Sequence, residues 1–170
     1  MIFAKALKYE DIIKNLDREN DVISMLGCET CVRVAGCGGR KAMKELALKL
    51  REDGFNVKEG FLVPTACNPK ITFAKLDKEI NTVVSMACSA GGSNIKRLFP
   101  ECKLIESSED VGLMVSDTDK KVLKITKPFK KFEHETGFEY ETLTGIKLES
   151  NDNLPIMNNN KKEPVLEAAR

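Results

Sequence analysis

The stretch Thr82-Val83-Val84-Ser85-Met86-Ala87 restricts the possible folds of this chain more than any other. It is apolar at both parities, so neither face can be left in water. A strand buried on both faces belongs in a parallel sheet covered by helices. Val22-Ile23-Ser24-Met25-Leu26, closed by Gly27, has the same character. Phe55-Asn56-Val57 and Phe61-Leu62-Val63 read as another strand, bulged near Glu59-Gly60, and Lys103-Leu104-Ile105-Glu106 reads as a short fourth.

Helical spacing fills the intervals between these runs. Tyr9, Ile12, Ile13 and Leu16 recur at i, i+3, i+4 and i+7. Met43, Leu46, Ala47 and Leu50 form a second apolar stripe, backed by Lys41, Lys44, Glu45, Lys49 and Arg51. Asp53-Gly54 gives that helix a C-terminal stop. Phe73, Leu76 and Ile80 mark a third helix, and Asn94 to Phe99 a fourth that ends at Pro100. Residues 1–106 therefore read α-β-α-β-α-β-α-β. This order predicts an α/β domain, a doubly wound and mostly parallel sheet with helices on both faces. Residues 107–170 make a second region. In it Val111 to Ser116 and Lys121 to Ile125 flank Asp117-Thr118-Asp119-Lys120 as a C-terminal hairpin. Asn151 to Lys162, rich in Asn, Asp and Lys, is expected to be an irregular tail.

Cysteine placement points to the chemistry. In an open parallel sheet, ligands bind beyond the carboxyl ends of the strands. Cys28 lies two residues past Leu26, Cys67 four past Val63, and Cys88 directly follows Ala87, so three strands each deliver a thiol to one edge. Cys31 completes a C-x-x-C with Cys28. The turn Gly36-Cys37-Gly38-Gly39 opens a helix, and Gly91-Gly92 follows Cys88. Gly38, Gly39, Gly91 and Gly92 are thus the positions where backbone amides can approach a sulfur-bound centre. Soft thiolates suit zinc or an iron–sulfur cluster, and four of them complete either site. The candidate metal ligands are Cys28, Cys31, Cys67 and Cys88, with Cys37 as fourth ligand, spare thiol or structural residue. Cys102, beside Pro100 at the opposite end of a strand, is expected to be a small hydrophobe. The lone His134, in Phe132-Glu133-His134-Glu135, is expected at the surface.

Composition narrows the function classes. Net charge is only +1 and Trp is absent, which argues against nucleic acid as a partner, because phosphate neutralisation needs a basic excess. Lys5, Lys8 and Glu10 come too early for a signal-peptide apolar core, and no run approaches the length of a membrane span. A cytoplasmic protein with no membrane partner is expected. In that reducing compartment six cysteines favour a metal or redox group over a disulfide framework. Lys120, Lys121, Lys124, Lys127, Lys130 and Lys131 form a local basic patch, either a solvated surface or a docking surface for an acidic partner. No Walker A pattern, no G-x-G-x-x-G and no plausible Ser/His/Asp set occurs. The C-x-x-C also invites a thioredoxin-like reading. However, Pro64 follows a strand where that family's proline precedes one, and two thiols would leave Cys67 and Cys88 without a role.

Gly27-Cys28-x-Thr30-Cys31-Val32, Gly38-Gly39 at a helix start, Cys67 after the second strand, and Ser85-Met86-Ala87-Cys88-x-Ala90-Gly91 follow one another in order. Over about residues 1–106 this pattern resembles the MetV-type small subunit of methylenetetrahydrofolate reductase, the family also called the methylenetetrahydrofolate reductase C-terminal domain. The opening Ile2-Phe3-Ala4-Lys5 and Phe99-Pro100 fit the same resemblance. It implies an accessory subunit without substrate chemistry of its own. Such a subunit binds a 4Fe–4S iron–sulfur cluster, or alternatively zinc, and docks in a hetero-oligomer on a flavoprotein reductase or a methyl-transfer or corrinoid protein. Carried over by position, Cys28, Cys31, Cys67 and Cys88 match family cysteines. Two departures stand out. The family has a cysteine where this chain has Ala35, with Cys37 two residues later, and it has a cysteine-rich C-terminal segment where this chain has no cysteine after Cys102. One centre is therefore expected. The alternative from another class is a redox-silent zinc module that organises a complex.

Overall fold

The computed structural model describes residues 1–70 and 75–149. In chain order its elements are β1 (Ile2–Ala6), α1 (Tyr9–Ile13), β2 (Val22–Cys28), α2 (Cys31–Val34), α3 (Gly39–Glu52), β3 (Asn56–Val63), β4 (Thr82–Met86), α4 (Ser89–Leu98), β5 (Lys103–Glu106), β6 (Ser108–Asp117), β7 (Val122–Pro128), a 3₁₀ turn (Lys130–Glu135) and β8 (Glu139–Glu141).

The strands form two four-stranded sheets. One is parallel, in the order β3-β2-β4-β5, and the other is antiparallel and curled, in the order β1-β6-β7-β8. The expectation of a doubly wound α/β fold is therefore corrected. Only β2 to β5 obey the parallel pattern, and half of the strands belong to a separate antiparallel layer. The reason is visible along β6, where Val111 and Met114 are buried while Leu113 and Val115 face water. A strand with one dry and one wet face suits an antiparallel sheet, not the centre of a parallel one. The first strand lies at the very start of the chain, ahead of the first helix, and pairs across the sequence with β6.

The parallel sheet is covered on both faces. Ile23, Met25, Val57, Val84, Met86 and Ile105 pack with Ile12 of α1 and Leu50 of α3. On the other face Leu26, Val83 and Ile95 of α4 share a core with Phe3, Val111, Met114, Leu123, Ile125 and Tyr140 of the antiparallel sheet. At the amino ends of the strands, buried Asp21 accepts hydrogen bonds from Thr82 Oγ1 and Lys103 Nζ, both at 2.9 Å. At the carboxyl ends Ser107 turns the chain from one sheet into the other. Its amide donates to Ser85 O, and its carbonyl accepts from the Leu7 amide.

Local departures have local causes. β3 is one continuous strand, and its register against β2 shifts between Ile23 and Ser24, so the bulge falls at Lys58. Of the expected third helix, Phe73 lies outside the described residues. Leu76 and Ile80 sit in a non-helical stretch where Asp77 Oδ1 accepts the Glu79 amide. That bond gives the backbone an alternative to helical pairing. The tail Asn151 to Lys162 also lies outside the described residues. Among the described residues no helix is long and apolar enough to cross a membrane.

Candidate thiolate site

The site forms where the antiparallel sheet roofs the carboxyl edge of the parallel one. Cys28 is the last residue of β2, and the Glu29 amide carries the ladder one step further, onto Val63 O. Thr30 then leaves the strand conformation, at φ −111° and ψ −108°, and Cys31 starts the short helix α2. Gly36, at φ +81°, reverses the chain. A Cβ there would lie 2.3 Å from the Thr144 carbonyl carbon, so only glycine allows the turn after β8 to press on this loop. The Leu143 amide bonds Val34 O, which fixes that contact.

Each thiol has a distinct environment. Cys28 is buried; its Sγ lies 3.1 Å from Thr30 Oγ1 and accepts the Ala66 amide at 3.4 Å. Cys31, half-buried, is hydrogen-bonded by the Cys88 thiol. That bond is the main cause that pushes its pKa down to about 6, with burial opposing and the Ile2 amide and the chain's amino terminus assisting. Cys88 is buried at the N-cap of α4. Holding its proton against Cys31 moves it far upward, burial and the Asp110 carboxylate add to this, and the Gly91 amide pulls the other way. Cys37 is buried and donates to Ala4 O at 3.3 Å; burial raises it to about 12.

The loop that carries Cys67 is tied to α4. Asn94 Nδ2 donates to Ala66 O at 2.7 Å and to Asn68 O at 3.1 Å, and Arg97 Nη2 reaches Pro69 O. Gly91 permits this approach, because a Cβ there would sit 2.7 Å from Ala87 Cβ and 3.0 Å from Ala66 Cβ. Cys67 itself is exposed. Of the four glycines expected near a centre, Gly91 directs its amide at the Cys88 thiol. Gly38 and Gly39 pack against Val32 and Arg33, and Gly92 lies near Glu106.

Cys102 stands before β5, at the amino edge of the sheet, with its Sγ 3.8 Å from Ile80 O and its acidity lowered by burial. His134 is exposed, beside Glu135. In the lysine patch Lys120, Lys124 and Lys131 pair with Asp117, Glu139 and Glu109. A polar cleft of about 460 Å³ between α1 and the start of β6 is lined by Asp11, Ser89, Glu106 and Asp110, and by no thiol.

The structure thus brings Cys31 and Cys88 into contact and places Cys28 and the Cys67 loop at the same edge. Among the described residues, no three or more His, Cys, Asp or Glu side chains are gathered as a metal-holding group. The donor chemistry nevertheless fits a soft metal. Three backbone amides, of Ile2, Ala66 and Gly91, are directed at three different sulfurs, an arrangement that favours thiolates. Ile2, Ala66 and the Ala4 carbonyl carry no signal in the sequence, since any residue type can supply a backbone group. Asp110 could not have been found either, because its place beside Cys88 depends on the β1–β6 pairing. Comparison with protein-family models, with curated proteins and with solved structures finds no match.

Proposed function

We propose that this chain is an accessory subunit that holds an iron–sulfur cluster on Cys28, Cys31, Cys67 and Cys88 and passes electrons to or from a flavoprotein of methylenetetrahydrofolate or related methyl-transfer chemistry. One observation carries the reading. Thiols delivered by β2, by the loop after β3 and by the end of β4 share one roofed edge, and three of the sulfurs receive backbone amides. When bound, the cluster supplies one-electron transfer. The protein's part is to keep the thiols ionisable, to exclude water with Phe3, Val111 and Met114, and to leave Cys67 at the surface, where a partner can approach. Cys37 stays protonated on the Ala4 carbonyl and takes no part in ligation. The partner class comes from the family resemblance of the cysteine and glycine pattern.

Anaerobically purified protein is expected to be brown, with visible absorption bleached by dithionite and restored by an oxidised flavoprotein. A colourless preparation with one zinc per chain would sink the electron-transfer role and leave the redox-silent zinc module.

A further inference from the structure

Strand β5 pairs with β4 alone, so its other side is an open sheet edge. The Lys103 amide donates to Asn81 O and the Ser107 amide to Ser85 O, which turns the peptide groups of those residues towards β4. Peptide groups alternate in direction along a strand, so those of Leu104 and Glu106 point outward. A groove follows this edge. All four residues of β5 line one part of it, a space of about 580 Å³ walled by Asp11 and Asn15 of α1. That space shares Leu7, Asp11, Asn15 and Glu106 with the cleft of about 460 Å³ at the start of β6. Beyond Glu106 the Leu7 amide, bonded to Ser107 O, closes the edge.

The charges along the groove do not cancel. Asp11 is paired with Lys14 at 2.7 Å, Glu109 is paired with Lys131, and Lys103 is drawn to Asp21 at 2.9 Å. Among the described residues Glu106 and Asp110 have no cationic partner. Asp110 accepts the Ser89 amide and hydroxyl, and Glu106 Oε1 lies over Gly92, 3.2 Å from where a Cβ would stand. An edge of unpaired amides and carbonyls accepts an extended strand, and carboxylates beside it accept ammonium or guanidinium groups. We propose that the β5 edge binds, by strand addition, an extended segment of a partner protein that carries lysine or arginine. The edge is short, so the contact is weak and its ionic part is screened by salt. No thiol lines the groove, so this docking site is independent of the metal-centre reading.

The test titrates the full chain with a short, end-blocked peptide of alternating lysine and valine and follows amide hydrogen exchange by NMR. Saturable binding is expected, weakened by added salt, with slowed exchange at the Leu104 and Glu106 amides. The same peptide with glutamate in place of lysine should bind at least about tenfold more weakly. A lysine–valine peptide N-methylated at every amide keeps the charge but cannot pair as a strand, and it should not bind. Glu106→Lys should weaken binding of the parent peptide about tenfold with the melting temperature unchanged; the two peptide controls need no variant. Absence of binding, equal binding by the glutamate or the methylated peptide, or unchanged exchange at Leu104 and Glu106 would overturn the proposal. Protection of those amides in the free protein would also overturn it. Sedimentation would then assign the edge to this chain itself if the protein is monomeric, or to a second copy if it is a dimer.

Discussion

Cys31 and Cys37 lie on one loop yet carry opposite chemistry. Cys31 is held down to about 6 by the Cys88 thiol, against an ordinary thiol near 8.5. In reduced, metal-free protein its alkylation by iodoacetamide should therefore rise at a lower pH than that of an ordinary thiol. Cys88→Ala should move that rise towards the ordinary value; a profile that Cys88→Ala leaves unchanged would deny the contact. Cys37 is a buried neutral thiol whose partner is the Ala4 carbonyl, next to the register shift between Phe3 and Ala4. Replacing it by Ala removes that hydrogen bond, and the expected loss is about 0.5–1.5 kcal/mol in denaturant unfolding, with metal content unchanged. Metal loss equal to that of Cys28→Ala would make Cys37 a ligand after all.

At the scale of elements, the parallel strands were legible because their apolar runs are short, dense and bounded by Gly, Cys or Pro. β2, β4 and β5 lie where those runs stand. β1 was not legible as a sheet strand. Phe3 and Ala4 are neighbours and both are buried, since the register shift between them breaks the two-residue alternation. Without β1 the antiparallel sheet could not be assembled from sequence, and neither could the roof over the thiols. The positions of Cys28 and Cys88 at strand ends could be read; which sulfur meets which could not, because that depends on side-chain direction and on the Ile2 and Ala66 backbones. The roof also depends on Gly36. A Gly36→Ala change combines a left-handed backbone, costing about 1–3 kcal/mol on its own, with a collision against Thr144. It should lower the melting temperature and make the turn around Leu143 sensitive to limited proteolysis. Unchanged proteolysis would mean that the turn does not rest on this loop.

Across the whole molecule the two sheets are interdependent. A fragment ending at Glu106 lacks β6, the pairing partner of β1, and loses Val111, Met114, Leu123 and Ile125 from the shared core. It should show no cooperative thermal transition, whereas the full chain should. Glu135 ties the roof together, accepting hydrogen bonds from Lys5 Nζ at 2.5 Å and Tyr140 Oη at 2.6 Å. Burial pushes its carboxyl up, and the bonds from Lys5 and Tyr140 outweigh burial and hold it below the ordinary range. Its stabilisation is thus fully present above the unfolded carboxylate value and disappears as pH falls through the folded one. Glu135→Gln should cost stability at pH 7 and flatten the acid limb of the pH–stability curve; an unaltered acid limb would contradict this role. The central claim, that thiols from three strand ends make one centre, is tested most directly by metal and acid-labile sulfide per chain. The measurement compares the six single Cys→Ala variants with the parent, all purified anaerobically. The account predicts that Cys28→Ala, Cys31→Ala, Cys67→Ala and Cys88→Ala lose the metal while Cys37→Ala and Cys102→Ala keep it. Full metal content in Cys88→Ala, or loss in Cys102→Ala, would contradict it.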